Sequence, residues 1–116
     1  MAFTDIEIAT HTGLIEQLLW SRRRPPLRLR DKIREGQRFT GLAIEFFFVR
    51  PAFERPGQFN EESIAKVRYV RSRRVWLLYW KRADNKWHGY QPCPEVSSLA
   101  DALRAINEDA CCCFFG

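Results

Sequence analysis

The sequence predicts an α+β fold: an antiparallel sheet of about four strands in a meander, with one or two helices ahead of it and a C-terminal helix packed on one face. Three patterns predict it. Thr4 and Glu7 stand three residues apart at the head of an apolar helical pattern, the spacing of a capping box. Between residues 39 and 90, aromatic and β-branched runs are divided by turn-forming residues, as strands and turns require. Leu99, Ala102, Leu103 and Ile106 follow at i, i+3, i+4 and i+7, a single stripe on a helix.

The capping box works because each side chain satisfies a backbone N–H that the first helical turn leaves free. The helix it opens places Ile8, Ile15 and Leu19 on one face with Leu14 and Leu18 beside them, and Gly13 offers a point at which it divides in two. Pro25 and Pro26 stop it. In "LRLRDKIREG", Leu29 and Ile33 lie one helical turn apart and Gly36 has the place of a C-terminal cap, which predicts a second, short helix. Residues 39–50, "FTGLAIEFFFVR", read as a strand ended by Pro51, and "PAFERPGQFNEE" reads as a loop. Strands are expected over 63–70, 74–82 and 86–90. Ser72 with Arg73 and Asp84 with Asn85 form the turns between them, the latter pair because both side chains tolerate positive φ. Ser98, with Asp101 at the third helical position, opens the last helix. At 116 residues one domain is expected, helical over 1–36, a sheet over 37–91, a helix over 97–109 and a tail over 110–116.

Strand alternation sorts the sheet into two faces. Two-residue turns would pair Val70 with Val75, Tyr69 with Trp76, Val67 with Leu78, Ala65 with Trp80, Arg82 with Trp87 and Trp80 with Gly89. One face is then Ala65, Val67, Tyr69, Trp76, Leu78, Trp80, Trp87 and Gly89, a core for the last helix, with Gly89 leaving room for the Trp80 indole. The other face presents Lys66, Arg68, Val70, Val75, Leu77, Tyr79, Lys81, Lys86, His88 and Tyr90, of which Lys66, Arg68, Tyr79, Lys81, His88 and Tyr90 are the candidate site. Rings on which bases stack, interleaved with cations that track phosphates, are what a nucleic-acid surface requires.

The chain is 46% apolar and 28% charged, a globular balance, with a net charge of +5. Residues 22–38 hold eight cations and two acids, residues 66–86 hold eight and one, and the remainder holds three against eleven. Two basic blocks on an otherwise acidic chain make a field that steers anions. Arg22, Arg23 and Arg24 in the first block are expected to form a second patch. Fifteen of the nineteen cations are arginine, whose planar fork suits phosphate and carboxylate. No apolar run approaches the roughly 18 residues that span a bilayer, so no membrane partner is expected. "MAFTDIEIAT" carries acids and no basic n-region, which favours the cytoplasm over secretion. Cys93 and the consecutive Cys111, Cys112 and Cys113 lack the spacing of a disulfide framework and read as free thiols.

No cofactor or metal site is expected. Zinc calls for separated ligand pairs, and three adjacent thiols diverge. For a metal-dependent nuclease, Glu45 lies on a strand but the Ile64, Ala65, Lys66 segment lacks the acid of an E-x-K motif. No phosphate loop, dinucleotide fingerprint or nucleophile elbow occurs. An enzyme is not expected; it would need His88 joined to Cys93 or to an acid. The final "CFFG" reads as an anchor, Phe114 and Phe115 tucking into the core, rather than as a prenylation tail. Three readings remain, the third of them an unrecognised enzyme. The first is a non-enzymatic binding module for nucleic acid or another polyanion. The second is an interaction protein or homodimer that buries the phenylalanine-rich strand edge or the loop with Phe53 and Phe59.

"RPP" at 24–26 with "RDKIR" at 30–34, "RPAF" at 50–53, "AKVRYVRSRRVWLLYW" at 65–80, "KWHGYQPCP" at 86–94 and the terminal "CFFG" fall in an order that resembles the bacterial family called domain of unknown function 3024. The resemblance covers residues 24–116. It implies a small stand-alone bacterial protein and carries over no activity, cofactor or catalytic residue. The triple cysteine departs from the pattern, in which a small or polar residue commonly precedes the last cysteine.

Overall fold

In the computed structural model, which describes residues 1–52 and 54–115, the capping box opens α1 (Asp5–Ile15). The Glu7 N–H donates to Thr4 Oγ1 at 3.2 Å and the Thr4 N–H to Glu7 Oε1 at 2.9 Å. Gly13 does not divide the helix. The chain runs through it and widens only at Glu16–Trp20, a π-helical turn, before a last α-helical turn, α2 (Ser21–Arg23). With one extra residue in the wider turn, Leu19 and its neighbour Trp20 both reach the core. The Trp20 indole N–H donates to Gln37 Oε1 at 2.9 Å, so its burial leaves no donor unmet.

The second helix does not form. Leu27–Leu29 makes a single 3-10 turn, and β1 (Arg34–Thr40) takes up the segment read as helical. Gly36 is no cap: it stands in β1 opposite Phe47, and a Cβ there would lie 2.6 Å from Phe47 Cε2. The phenyl ring lies across the glycine, and this cross-strand contact outweighs the local helical spacing. Gly41, at φ 59°, then turns the chain so that Thr40 pairs with Ala43. The run 39–50 is therefore not one strand; it contains the turn between β1 and β2 (Ala43–Pro51).

β3 (Phe59–Val70) begins four residues earlier than expected, and β4 (Val75–Lys81), β5 (Trp87–Gly89) and β6 (Glu95–Val96) complete the sheet. All pairs are antiparallel, in the order β1-β2-β3-β4-β5 with β6 also paired to β4. The β2–β3 register shifts between Phe46 and Phe47, leaving Ile64 as the extra residue, so Ile64 and Ala65 are both buried although adjacent.

Ser98 caps α3 (Leu99–Glu108) by accepting from the Asp101 N–H at 3.1 Å, and the stripe of Leu99, Ala102, Leu103 and Ile106 is buried as its spacing requires. The helices pack on one face of the sheet, against Ile44, Phe46, Val67, Trp76 and Leu78. Asp109 ends α3 in the left-handed region at φ 48°. Its carboxylate accepts from the Phe114 and Phe115 N–H groups at 2.9 Å each, folding the tail back. Phe114 is thereby buried against Tyr90, with ring centroids 4.6 Å apart. All four cysteines are free thiols. Among the described residues no helix is long and apolar enough to cross a membrane.

Candidate nucleic-acid interface

The two hairpins that build the open face differ in one residue of loop. At the β3–β4 turn Val70 pairs with Val75, Tyr69 with Trp76 and Val67 with Leu78, the register read from the sequence. Lys66 and Arg68 therefore point away from the helices, with Tyr79 directly opposite Lys66. At the β4–β5 turn the Arg82 N–H donates to the Lys86 carbonyl at 3.1 Å and the Asn85 N–H to the Arg82 carbonyl at 2.8 Å, with Asn85 at φ 66°. Three residues, not two, lie between Arg82 and Lys86, a turn closed by a left-handed residue. The pairs become Tyr79 with Gly89, Trp80 with His88 and Lys81 with Trp87. A slip of one residue moves every side chain of β5 to the opposite face.

This corrects the face in four places. Trp87 joins Lys66, Tyr79 and Lys81 on the open side. His88 lies on the Trp80 side, where its Nε2 stands 2.8 Å from Asp84 Oδ2. The Lys86 N–H and then His88 hold the Asp84 carboxyl below its ordinary range. Tyr90 is only 2% exposed and belongs to the core, where burial raises its phenol. Gly89 makes no room for Trp80: it is exposed on the open face opposite Tyr79, and a Cβ there would meet nothing within 4 Å.

Lys66, Arg68, Tyr79 and Lys81 are brought together. None of the side chains on this face is fully buried, and no helix packs on it among the described residues. Its acids are already neutralised by arginines: Glu45 lies 3.3 Å from Arg38, Glu61 also pairs with Arg38, and Glu95 lies 3.0 Å from Arg73. The Glu61 carboxylate chiefly holds the Arg38 guanidinium in its charged form. Among the described residues no carboxylate pairs with Lys66, Arg68 or Lys81. Lys66 Nζ instead sits 5.9 Å from the Tyr79 ring centroid and 5.8 Å from that of Trp87, and Lys81 Nζ sits 5.3 Å from Trp87. These are cation–π distances. Lys81 also reaches Ser63 Oγ at 3.4 Å.

The arginines at 22–24 do not extend this surface. Arg24 bridges Glu16 and Glu35 on the helix-covered side, which raises its pKa. Arg23 donates to Asn107 Oδ1 at 3.0 Å and stacks over Phe115 with its guanidinium carbon 4.2 Å from the centroid, binding the tail to the helices. Arg22 is exposed beside them. Phe59 is 62% exposed at the start of β3, and Phe53 lies outside the described residues. No group of three or more potential metal ligands occurs among the described residues.

Sequence reasoning missed Trp87, Ser63 and Gly89. Asn85 carried the available signal, because an asparagine that accepts φ above zero also suits the last position of a three-residue loop.

Fold and site define an α+β protein whose helices cover one face of an antiparallel sheet and, among the described residues, leave the other open. The chain belongs to the family Domain of unknown function (DUF3024), whose model matches residues 3–116 and so takes in the N-terminal helix as well. No curated protein and no solved structure matches the chain.

Proposed function

We propose that this protein is a non-enzymatic binding module that takes up nucleic acid across the open face of its sheet. The observation that carries the reading is the contrast in pairing on that face. Each acid there is held by an arginine, whereas Lys66, Arg68 and Lys81 have no carboxylate partner among the described residues. Burying or pairing a cation is the usual way to quiet it. Three unpaired cations around two half-exposed rings form instead a surface that gains from meeting phosphate. Arg22 stands on the helix side and takes no part.

Fluorescence anisotropy of a labelled single-stranded oligonucleotide tests this. The wild-type protein is expected to bind with an affinity that falls steeply with salt, because phosphate neutralisation releases counterions. Lys66→Glu with Arg68→Glu is expected to weaken binding at least about tenfold and flatten the salt slope by about two, one for each lost contact. Equal affinity of the double variant would remove the face from consideration.

Phe47, Val49 and Leu77, half-buried on the same face, favour a second reading in which another copy of the chain covers it. A stable dimer in light scattering, without salt-dependent affinity for polyanions, would transfer the face to that role.

A further inference from the structure

We infer that the gap between Tyr79 and Trp87, floored by Gly89, is a slot for one unstacked base, which makes single-stranded nucleic acid the ligand of this face. The inference rests on the polyanion reading above and narrows it. Tyr79 pairs with Gly89 and Trp87 with Lys81, so the two rings are diagonal neighbours across β4 and β5. The backbones at diagonal positions stand about 7–8 Å apart, within reach of aromatic side chains. A flat base in van der Waals contact with a ring on each side needs about 7 Å, twice the roughly 3.5 Å contact distance.

A cation stands beside both rings. The Lys66 ammonium is nearly equidistant from the two centroids, at 5.9 and 5.8 Å, and Lys81 approaches the Trp87 ring as well. A cation held by ring faces leaves them when a phosphate is offered, since a charge-assisted hydrogen bond is the stronger contact, and Lys81 then gives up its 3.4 Å contact with Ser63 Oγ as well. A strand laid over β3–β5 thus does two things together. Its phosphates draw Lys66 and Lys81 off the rings, and the freed ring faces take a base. Gly89 allows the base to enter. A side chain at this position would stand beside Tyr79 on the same face, yet its Cβ would touch no atom within 4 Å. The glycine therefore answers no packing need of the protein itself, and its effect is to keep the space beside Tyr79 empty. A duplex keeps both faces of its internal bases stacked and offers nothing to the slot; only an unpaired strand does.

The test compares a base-bearing single strand with an abasic strand of the same length and charge, against the wild type, Gly89→Val and Trp87→Leu. The wild type is expected to prefer the base-bearing strand at least about tenfold, the size of one base–aromatic stack. Gly89→Val adds a branched side chain in open space, so the protein keeps its wild-type melting temperature. It is expected to lose the preference while holding the abasic strand as the wild type does. Trp87→Leu, which removes one wall, is expected to do the same. A wild type that binds both strands equally, or a Gly89→Val protein that retains the preference, would overturn the slot and leave the polyanion reading standing. A wild type that binds neither strand would overturn both.

Discussion

The two faces of the sheet are made from the same strands, residue by residue in alternation, yet they use cations in opposite ways. On the covered face the charged groups are spent on structure. Arg24 joins Glu16 on the helical segment to Glu35 on β1, and Arg23 ties α2 to the end of α3 and to the tail through Asn107 and Phe115. On the open face Arg38 and Arg73 absorb the acids, and the central cations are left to the rings. The lesson is that local basicity does not tell how a cation is used. The block at 22–38 is nearly as basic as that at 66–86, but the first supplies two of the arginines that lock the fold and the second supplies the unpaired charge.

The contrast predicts a graded response to substitution. Phe46→Ala, at a fully buried position under Trp20, is expected to cost about 3–5 kcal/mol of stability, read from a denaturant midpoint. Asp109→Ala strands the Phe114 and Phe115 N–H groups and puts alanine in the left-handed region. It is expected to cost about 2–3 kcal/mol and to release Phe114 from Tyr90, visible in near-ultraviolet circular dichroism. Thr4→Ala, which opens the capping box, is expected to cost about 1 kcal/mol. On the open face Lys66→Glu with Arg68→Glu is expected to shift stability by no more than about 0.5 kcal/mol per site while abolishing most polyanion affinity. A large loss of stability from this last pair would erase the difference between the faces.

Acid sharpens the same comparison through two groups around α1, His11 and Glu7. His11 stands edge-on to Phe3 and Trp76, with centroids 4.9 and 5.3 Å away, and burial lowers its pKa from 6.5. The unfolded chain therefore binds a proton first, and stability falls as pH drops through 6.5. Glu7 is held at about 2, first by the Arg71 hydrogen bond and then by the Thr4 N–H. Its contribution is whole above the ordinary 4.5 and is lost as pH falls from there toward 2. Urea midpoints measured against pH should show both stages, and His11→Leu should remove only the first.

Much of this was legible in the sequence where the determinants are local. The Thr4 and Glu7 box, the stripe and Ser98 cap of α3, and the β3–β4 register all follow from neighbours in the chain. The rest was not, because distant or single residues decided it. The helical spacing of Leu29 and Ile33 lost to a strand whose Gly36 lies under Phe47, eleven residues away. One extra residue at the Asn85 turn exchanged Trp87 for His88 on the open face. Tyr90 was lost to the core because the tail, turned by Asp109, brings Phe114 onto it. The basic ladder of Lys66, Arg68 and Lys81 was readable. The slot beside it was not, since it depends on that single residue of register.

The most direct test is a chemical-shift map of the protein titrated with a short single-stranded oligonucleotide at low salt. The account predicts that the largest changes fall on Lys66, Arg68, Tyr79, Lys81 and the Trp87 indole N–H, with Arg22, Arg23 and Arg24 unmoved. Changes centred on the arginines of the helical side, or none on the open face, would contradict it.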